Sequence, residues 1–260
     1  MSTGEPQSQA HQRFSQFADR YVSSSVHAAS DELDLLLAVA QPQPDWRAID
    51  IATGGGHTAL AFAPHVGQLI VTDFSQKMLH AARRYIGSSG APDAHYVVNA
   101  ADRLPFAAGT FDLITCRWAV HHFPDAYRFM LDCFRALKPG GRLLIQDHVQ
   151  PESPRDAEYL EAFERLRDPS HQKAFCLSEW RGLYLDAGFT PDYDRIFKNE
   201  ANFVDWCARQ DCPPDVVQHL TVMLAQAPPV AREWLEPACV GTPDATFKHV
   251  FVVIQGIKPA

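Results

Sequence analysis

No apolar run among the 260 residues approaches the ~20 that a membrane-spanning helix requires, so no span is expected. The first ten residues lack a basic flank followed by an apolar stretch and do not read as a secretory signal. Positive charge is scarce: 23 Lys and Arg against 31 Asp and Glu give a formal charge of −8. That leaves no field to hold a phosphate backbone, and nucleic acid is not an expected partner. Cysteine is sparse too, with six scattered along the chain and none in a Cys-x-x-Cys pair, which argues against a disulfide framework and a ribbon-type zinc site. The reading is a reduced, cytoplasmic protein whose ligand spacing marks no metal. Low-complexity character is absent, since 46% hydrophobic and 21% charged residues fall in the ordinary globular range. The length supports one large domain or two small ones.

What the chain does have is a strand–helix rhythm. Short apolar runs at 47–52, 68–72 and 111–116 are each followed by polar or glycine-rich punctuation and read as strands. Between them, 58–62 and 78–86 repeat at helical spacing, the second with Ser75 as its N-cap. Alternating strands and helices imply a parallel α/β sheet. A further helix at 126–137 is ended by Lys138-Pro139-Gly140-Gly141 and followed by a strand at 142–146. Beyond Asp147 come a charged, Pro-bounded segment, an amphipathic helix at 177–187 closed by Gly188, and a mostly helical stretch at 202–235. A strand at 248–256 closes the chain. Two helices, 14–21 and 31–40, precede the first strand and are expected over the open edge of the sheet.

The run Asp50-Ile51-Ala52-Thr53-Gly54-Gly55-Gly56 places three glycines between the first strand and a helix, where φ > 0 and close approach of a ligand to the backbone are permitted. Gly54-x-Gly56-x-x-Ala59 also satisfies a dinucleotide fingerprint. Asp50 discriminates between the two readings. At the end of the first strand its carboxylate repels a pyrophosphate and attracts an ammonium group. Asp73, at the end of the second strand, can accept hydrogen bonds from both hydroxyls of a ribose. A nucleoside carrying an amino acid satisfies both.

With these residues the chain resembles the class I S-adenosylmethionine-dependent methyltransferases over nearly its whole length. The family's first motif, acidic-x-Gly-x-Gly-x-Gly, is matched by Asp50, Gly54 and Gly56, with Ala52 where the first glycine is usual. That alanine fits if its φ is negative. Asp73 falls at the ribose-binding acid, with Phe74 and Met78 beyond it; Leu104-Pro105-Phe106 with Phe111-Asp112 leads into the fourth strand, and 137–143 resembles the approach to the fifth. Where many relatives have Gly-Asp-Ala, this chain has Asn99-Ala100-Ala101. The Ala101 backbone remains available to the adenine ring, and Asp102, Asn99 or water to its amino group. Residues 116–123, 167–171 and 177–180 look like a bacterial subgroup similar to the ubiquinone and menaquinone C-methyltransferases.

The resemblance implies a Rossmann-like, doubly wound seven-stranded sheet with an antiparallel last strand, S-adenosylmethionine as methyl donor and S-adenosylhomocysteine as product. It implies one domain, divided as an N-terminal helical cap (1–45), a cofactor-binding core (46–147), substrate-lid insertions with one core strand (148–246) and the terminal strand (247–260). The acceptor would be a small, apolar or aromatic molecule, methylated at carbon or oxygen, and a homodimer is compatible. Arg117, just past the fourth strand, is a candidate for the cofactor site. If the acceptor starts protonated, the candidate bases are His148 at the end of the fifth strand, then His122, then Tyr21. His121 and His122, being adjacent, cannot both face the site if helical. Other readings stay open: a cofactor-binding protein without catalysis, an arsenite methyltransferase using Cys176, Cys207 and Cys212, and an NAD-dependent oxidoreductase, which Asp50 disfavours.

Overall fold

A computed structural model of the chain describes residues 30–89 and 94–260. The helix expected at 14–21, with Tyr21, lies outside the described residues. The first described element is α1 (Ser30–Ala40). It is followed by β1 (Arg47–Ile51), α2 (His57–Phe62), β2 (Gln68–Asp73), α3 (Gln76–Ser88), β3 (His95–Val98) and β4 (Phe111–Arg117). A 3-10 turn (Val120–His122) precedes α4 (Ala126–Ala136), β5 (Leu137–Gln150) and α5 (Pro154–Arg167). The chain then forms β6 (Phe175–Cys176), α6 (Leu177–Asp186), β7 (Thr190–Asn202), α7 (Phe203–Ala208), α8 (Pro214–Ala225), α9 (Pro229–Leu235) and β8 (Thr246–Ile257).

Seven strands lie in the order β3-β2-β1-β4-β5-β8-β7, and the two-residue β6 pairs with the end of β5. Only β8 runs against its neighbours, antiparallel to both β5 and β7. Strands β1, β2 and β4 are buried along almost their whole length, as parallel strands covered on both faces must be. The two edge strands carry no such apolar signal. β3 is only four residues long, exposed at both ends and half-buried between, and most of β7, including Asp192, Asp194, Arg195 and Glu200, is charged or polar; a short edge and a polar one both blunt further pairing.

Helices cover both faces. On one, α4 and α6 bury Phe129, Met130, Trp180 and Tyr184 against Ile49, Ile145 and Ile254. On the other, α1, α2 and α3 bury Leu36, Phe62 and Leu79 against Val71, Leu144 and Val253. Helix α1 thus packs on the face of the central strands rather than over the sheet's edge as its position ahead of β1 suggests. Arg142 holds its last carbonyl, Ala40 O, at 2.8 Å. Ser75 caps α3, its side chain accepting from Met78 N. Helices α5, α7, α8 and α9 form a separate apolar cluster around Trp206, Phe163 and Leu220, joined to the sheet through Phe247 of β8.

Gly256 marks the tightest point in this packing. A Cβ there would lie 2.4 Å from Tyr184 Cδ1 and 3.0 Å from Phe189 Cβ, and the Tyr184 ring is fully buried with its hydroxyl bonded to Ile254 O. With no room for the ring to retreat, Gly256→Ala should cost about 1–3 kcal/mol or more through overpacking, read as a lowered denaturant midpoint.

Candidate active site

The carboxyl ends of β1, β2 and β4 open into one cavity, where parallel α/β sheets place their ligands. Of the residues marked in the sequence, Ala52, Gly54, Asp73, Phe74, Met78, Ala101, Asp102, Arg117 and His122 line it. Asp50, Gly56 and His148 do not.

Asp73 presents a carboxylate that is 4% exposed and held by two backbone donors, Gly54 N to Oδ2 at 3.1 Å and Ser75 N to Oδ1 at 2.9 Å. Asp50 lies beneath the loop instead of at the wall: Thr53 Oγ1 donates to Oδ2 at 2.6 Å and Thr115 Oγ1 to Oδ1 at 2.7 Å. It shapes the loop and acts on the cavity through its field. Burial raises both carboxyls to about 6, against partial compensation by their hydrogen bonds.

The loop corrects one expectation. Ala52 has φ 53°, in the left-handed region rather than at negative φ. An alanine held there costs roughly 1–2 kcal/mol relative to glycine's freedom, and the family's usual glycine is explained by the same angle. Gly54, also left-handed, has nothing within 4 Å of a would-be Cβ, so its missing side chain keeps the wall open. Gly56 serves packing: a Cβ would meet Ala82 Cβ at 3.1 Å and Ile86 Cδ1 at 3.2 Å on α3.

Arg117 is buried. Its guanidinium pairs with Glu32 of α1 at 3.0 Å, bonds Gln146 Oε1 at 3.0 Å and lies 4.0 Å from the Trp118 ring centroid. Trp118 has φ 53°, a strained conformation for a bulky residue, and its indole lines the cavity while stacking on Phe251. Asp112 sits at the opposite end of the sheet, where it accepts from Arg47 N and Lys138 Nζ and is structural.

At the far end of the cavity, the turn after β4 presents two histidines in different directions. His122 lines the cavity and its Nδ1 lies 3.1 Å from Ser170 O; Ser170 is itself fixed by Asp168, which Gln210 also holds. His121 points away to Asp147, with Nδ1 2.5 Å from Oδ1. His148 packs its ring against His121, His249 and Phe251. Segment 168–173, which the sequence assigns to the lid, meets the cavity only through this turn, with Gln172 N and Lys173 N donating to His121 O. Among the described residues no part of 148–246 lines the cavity itself, and no cysteine does. Cys176 pairs with Ser178, and the Cys212 thiol faces Arg167 O.

Residues 49–145 match the family model described as a methyltransferase domain. The chain is 33% identical over 250 residues to the uncharacterized methyltransferase YcgJ of Bacillus subtilis strain 168, covering 94% of this chain and 97% of that one. The chain belongs to the class I S-adenosylmethionine-dependent methyltransferases. The crystal structure of B. subtilis YcgJ superposes with TM-score 0.83 at 32% identity, covering 88% of this chain and 98% of that one. A methyltransferase of Bacillus halodurans C-125 gives 0.84 at 31%, covering 89% and 100%. The ubiquinone/menaquinone biosynthesis C-methyltransferase UbiE of Vibrio vulnificus is 34% identical over 113 residues, 42% of this chain and 44% of that protein.

The methyltransferase's cavity suits its cofactor chemically. Gly54 leaves a cradle that a side chain would fill. Asp73 offers a desolvated carboxylate at the wall to a hydroxyl-bearing ligand, and Asp50, from beneath the loop, adds a field that favours a cationic one. Asn99, also on the wall, has a buried Oδ1 with no hydrogen-bond partner among the described residues, an acceptor suited to an exocyclic amino group. Thr53, Thr115, Trp118 and the His121–Asp147 pair escaped the sequence reading. Thr53 stands in the glycine run and Trp118 and His121 in the 116–123 motif, so those three carried a signal, whereas Thr115 and Asp147 carried none.

Because both free carboxyls titrate near 6 and a cationic ligand favours their ionised forms, binding should expel protons near that pH. S-adenosylmethionine affinity should therefore fall from pH 7 to pH 5 by about tenfold per carboxylate. Calorimetry in buffers of different ionisation enthalpy checks this, and proton uptake on binding at pH 6 would contradict it.

Proposed function

We propose that this methyltransferase acts on a small, apolar or aromatic molecule carrying an ionisable O–H or C–H, with His122 as the base. S-adenosylmethionine supplies an electrophilic methyl on a sulfonium, so the protein's task is chiefly orientation and, for a protonated acceptor, removal of a proton. Asp73 holds the ribose, and Asp50 biases the site toward positive charge through Thr53 and Thr115. Gly54 lets the ligand lie against the backbone, and Arg117, fixed by Glu32, closes the wall beside Trp118.

The observation that carries the reading is the placement of His122. It shares the cavity wall with the indole of Trp118 and the ring of Phe123, an apolar, aromatic rim for an acceptor. A neutral imidazole whose Nδ1–H donates to Ser170 O has its lone pair on Nε2. Burial lowers this histidine's pKa, which keeps it neutral and able to accept a proton at cytoplasmic pH. The likeness to the quinone-pathway C-methyltransferase over 113 residues favours phenols and quinols as first acceptors. Six free cysteines fit a reducing, cytoplasmic setting, and no described helix is long and apolar enough to cross a membrane.

Incubation with S-adenosylmethionine and a panel of phenols, quinols and aliphatic acids, with S-adenosylhomocysteine as the readout, tests the proposal. Turnover of at least one aromatic acceptor is expected. Tight cofactor binding with no turnover on any of them would point to a non-catalytic cofactor-binding role.

A further inference from the structure

Behind His122, on the side away from the cofactor loop, three metal-ligand side chains converge from distant positions in the sequence. His121 comes from the turn after β4, and Asp147 and His148 from the end of β5. One donor atom from each lies within 4.8 Å of the others. Asp147 is fully buried, and its hydrogen bonds come from His121 N at 3.2 Å, His121 Nδ1 at 2.5 Å and His148 N at 2.7 Å. Among the described residues no Lys or Arg meets it, whereas nearby Glu161 is met by both Arg165 and His171.

A histidine–carboxylate hydrogen bond accounts for His121 and Asp147 alone. It does not account for His148, whose ring stands 4.6 Å from that of His121 and whose ring nitrogens make no hydrogen bond among the described residues. Nor does it supply positive charge to a carboxylate taken wholly out of water, which is costly without a cationic partner.

We propose that His121, Asp147 and His148 bind a divalent transition-metal ion of the zinc type. Two imidazoles and a carboxylate suit zinc, iron or nickel rather than magnesium or calcium. Three protein ligands leave a coordination position for water. The His121 ring is 4.1 Å from that of His122, which places the ion one side chain behind the cavity wall. This inference is independent of the acceptor's identity.

Chelator-stripped protein titrated with Co2+, with Zn2+ as competitor, tests it. One equivalent of Co2+ should bind, give the visible absorption of a four- or five-coordinate nitrogen–oxygen site and be displaced by Zn2+. His148→Ala should weaken binding at least tenfold, while Cys239→Ser, removing the exposed thiol, should not. Circular dichroism confirms folding, and His148→Gln replaces the alanine variant if that fails to fold. Absence of a stoichiometric ion in folded wild-type protein, or equal Co2+ affinity in wild type and the folded His148 variant, would overturn the site.

Discussion

Asp73→Ala should weaken S-adenosylmethionine binding by roughly 10²–10⁴-fold. Two ribose hydroxyls would lose an ionised acceptor, each such bond contributing ~1.5–3 kcal/mol, and ~1.4 kcal/mol corresponds to tenfold in affinity. The structure adds a second route to the same loss. The two carboxylate oxygens also take Gly54 N and Ser75 N, so removing them releases the glycine loop at one end and the start of α3 at the other. Asp73→Asn separates these contributions. It keeps the volume and one acceptor oxygen but turns an N–H donor toward a backbone N–H, and should fall between wild type and alanine. Stability should change less than affinity, because the variant also deletes a carboxyl that burial already disfavours. Calorimetry with S-adenosylmethionine and with adenosine gives the answer. Affinities within threefold of wild type for both ligands would remove Asp73 from the site.

How far the site could be read from the sequence depends on the range of the interactions that define it. Asp50, the glycines and Asp73 sit at the ends of consecutive strands, so a strand–loop–helix pattern is enough to bring them to one crevice. What it could not give was orientation. Asp50 and Gly56 are in the motif, yet one supports the loop through Thr53 and Thr115 and the other admits α3. Ala52 shows the same limit, because the residue type says nothing of its φ until the loop closes on Thr72 O through Thr53 N. The fold's interior strands were legible because they are buried on both faces. β3 and β7 were not, since β3 is only four residues long and β7 is built largely of polar residues, two ways in which edge strands avoid further pairing. The histidine cluster was invisible for a simpler reason: its members lie on a turn, a strand end and a loop that only the sheet order brings together. Position at the end of β5 placed His148 on the right edge of the sheet, but its ring turns toward His249 and Phe251.

That rotation moves the expected catalytic effect to the neighbouring strand. His122→Ala should lower turnover on a phenolic or quinolic acceptor by ~10²–10⁴-fold, the usual contribution of a positioned general base. Cofactor affinity should stay within about threefold, because the two carboxylates proposed to favour the cofactor, Asp50 and Asp73, come from β1 and β2. The pH profile carries a further mark of the residue. Burial lowers the His122 pKa, opposed by Asp168 and by the bond to Ser170. The acid limb of the rate should therefore fall below the ordinary imidazole value near ~6.5. Below that limb the base is protonated and turnover is lost; above it the neutral imidazole accepts the proton and the rate is level. Asp168→Asn, which weakens the support under Ser170, should move this limb without removing it, a response that packing alone would not produce. A loss below threefold in the His122 variant, with the acid limb unmoved, would mean that the acceptor arrives already deprotonated or needs no base, and that His122 only shapes the rim.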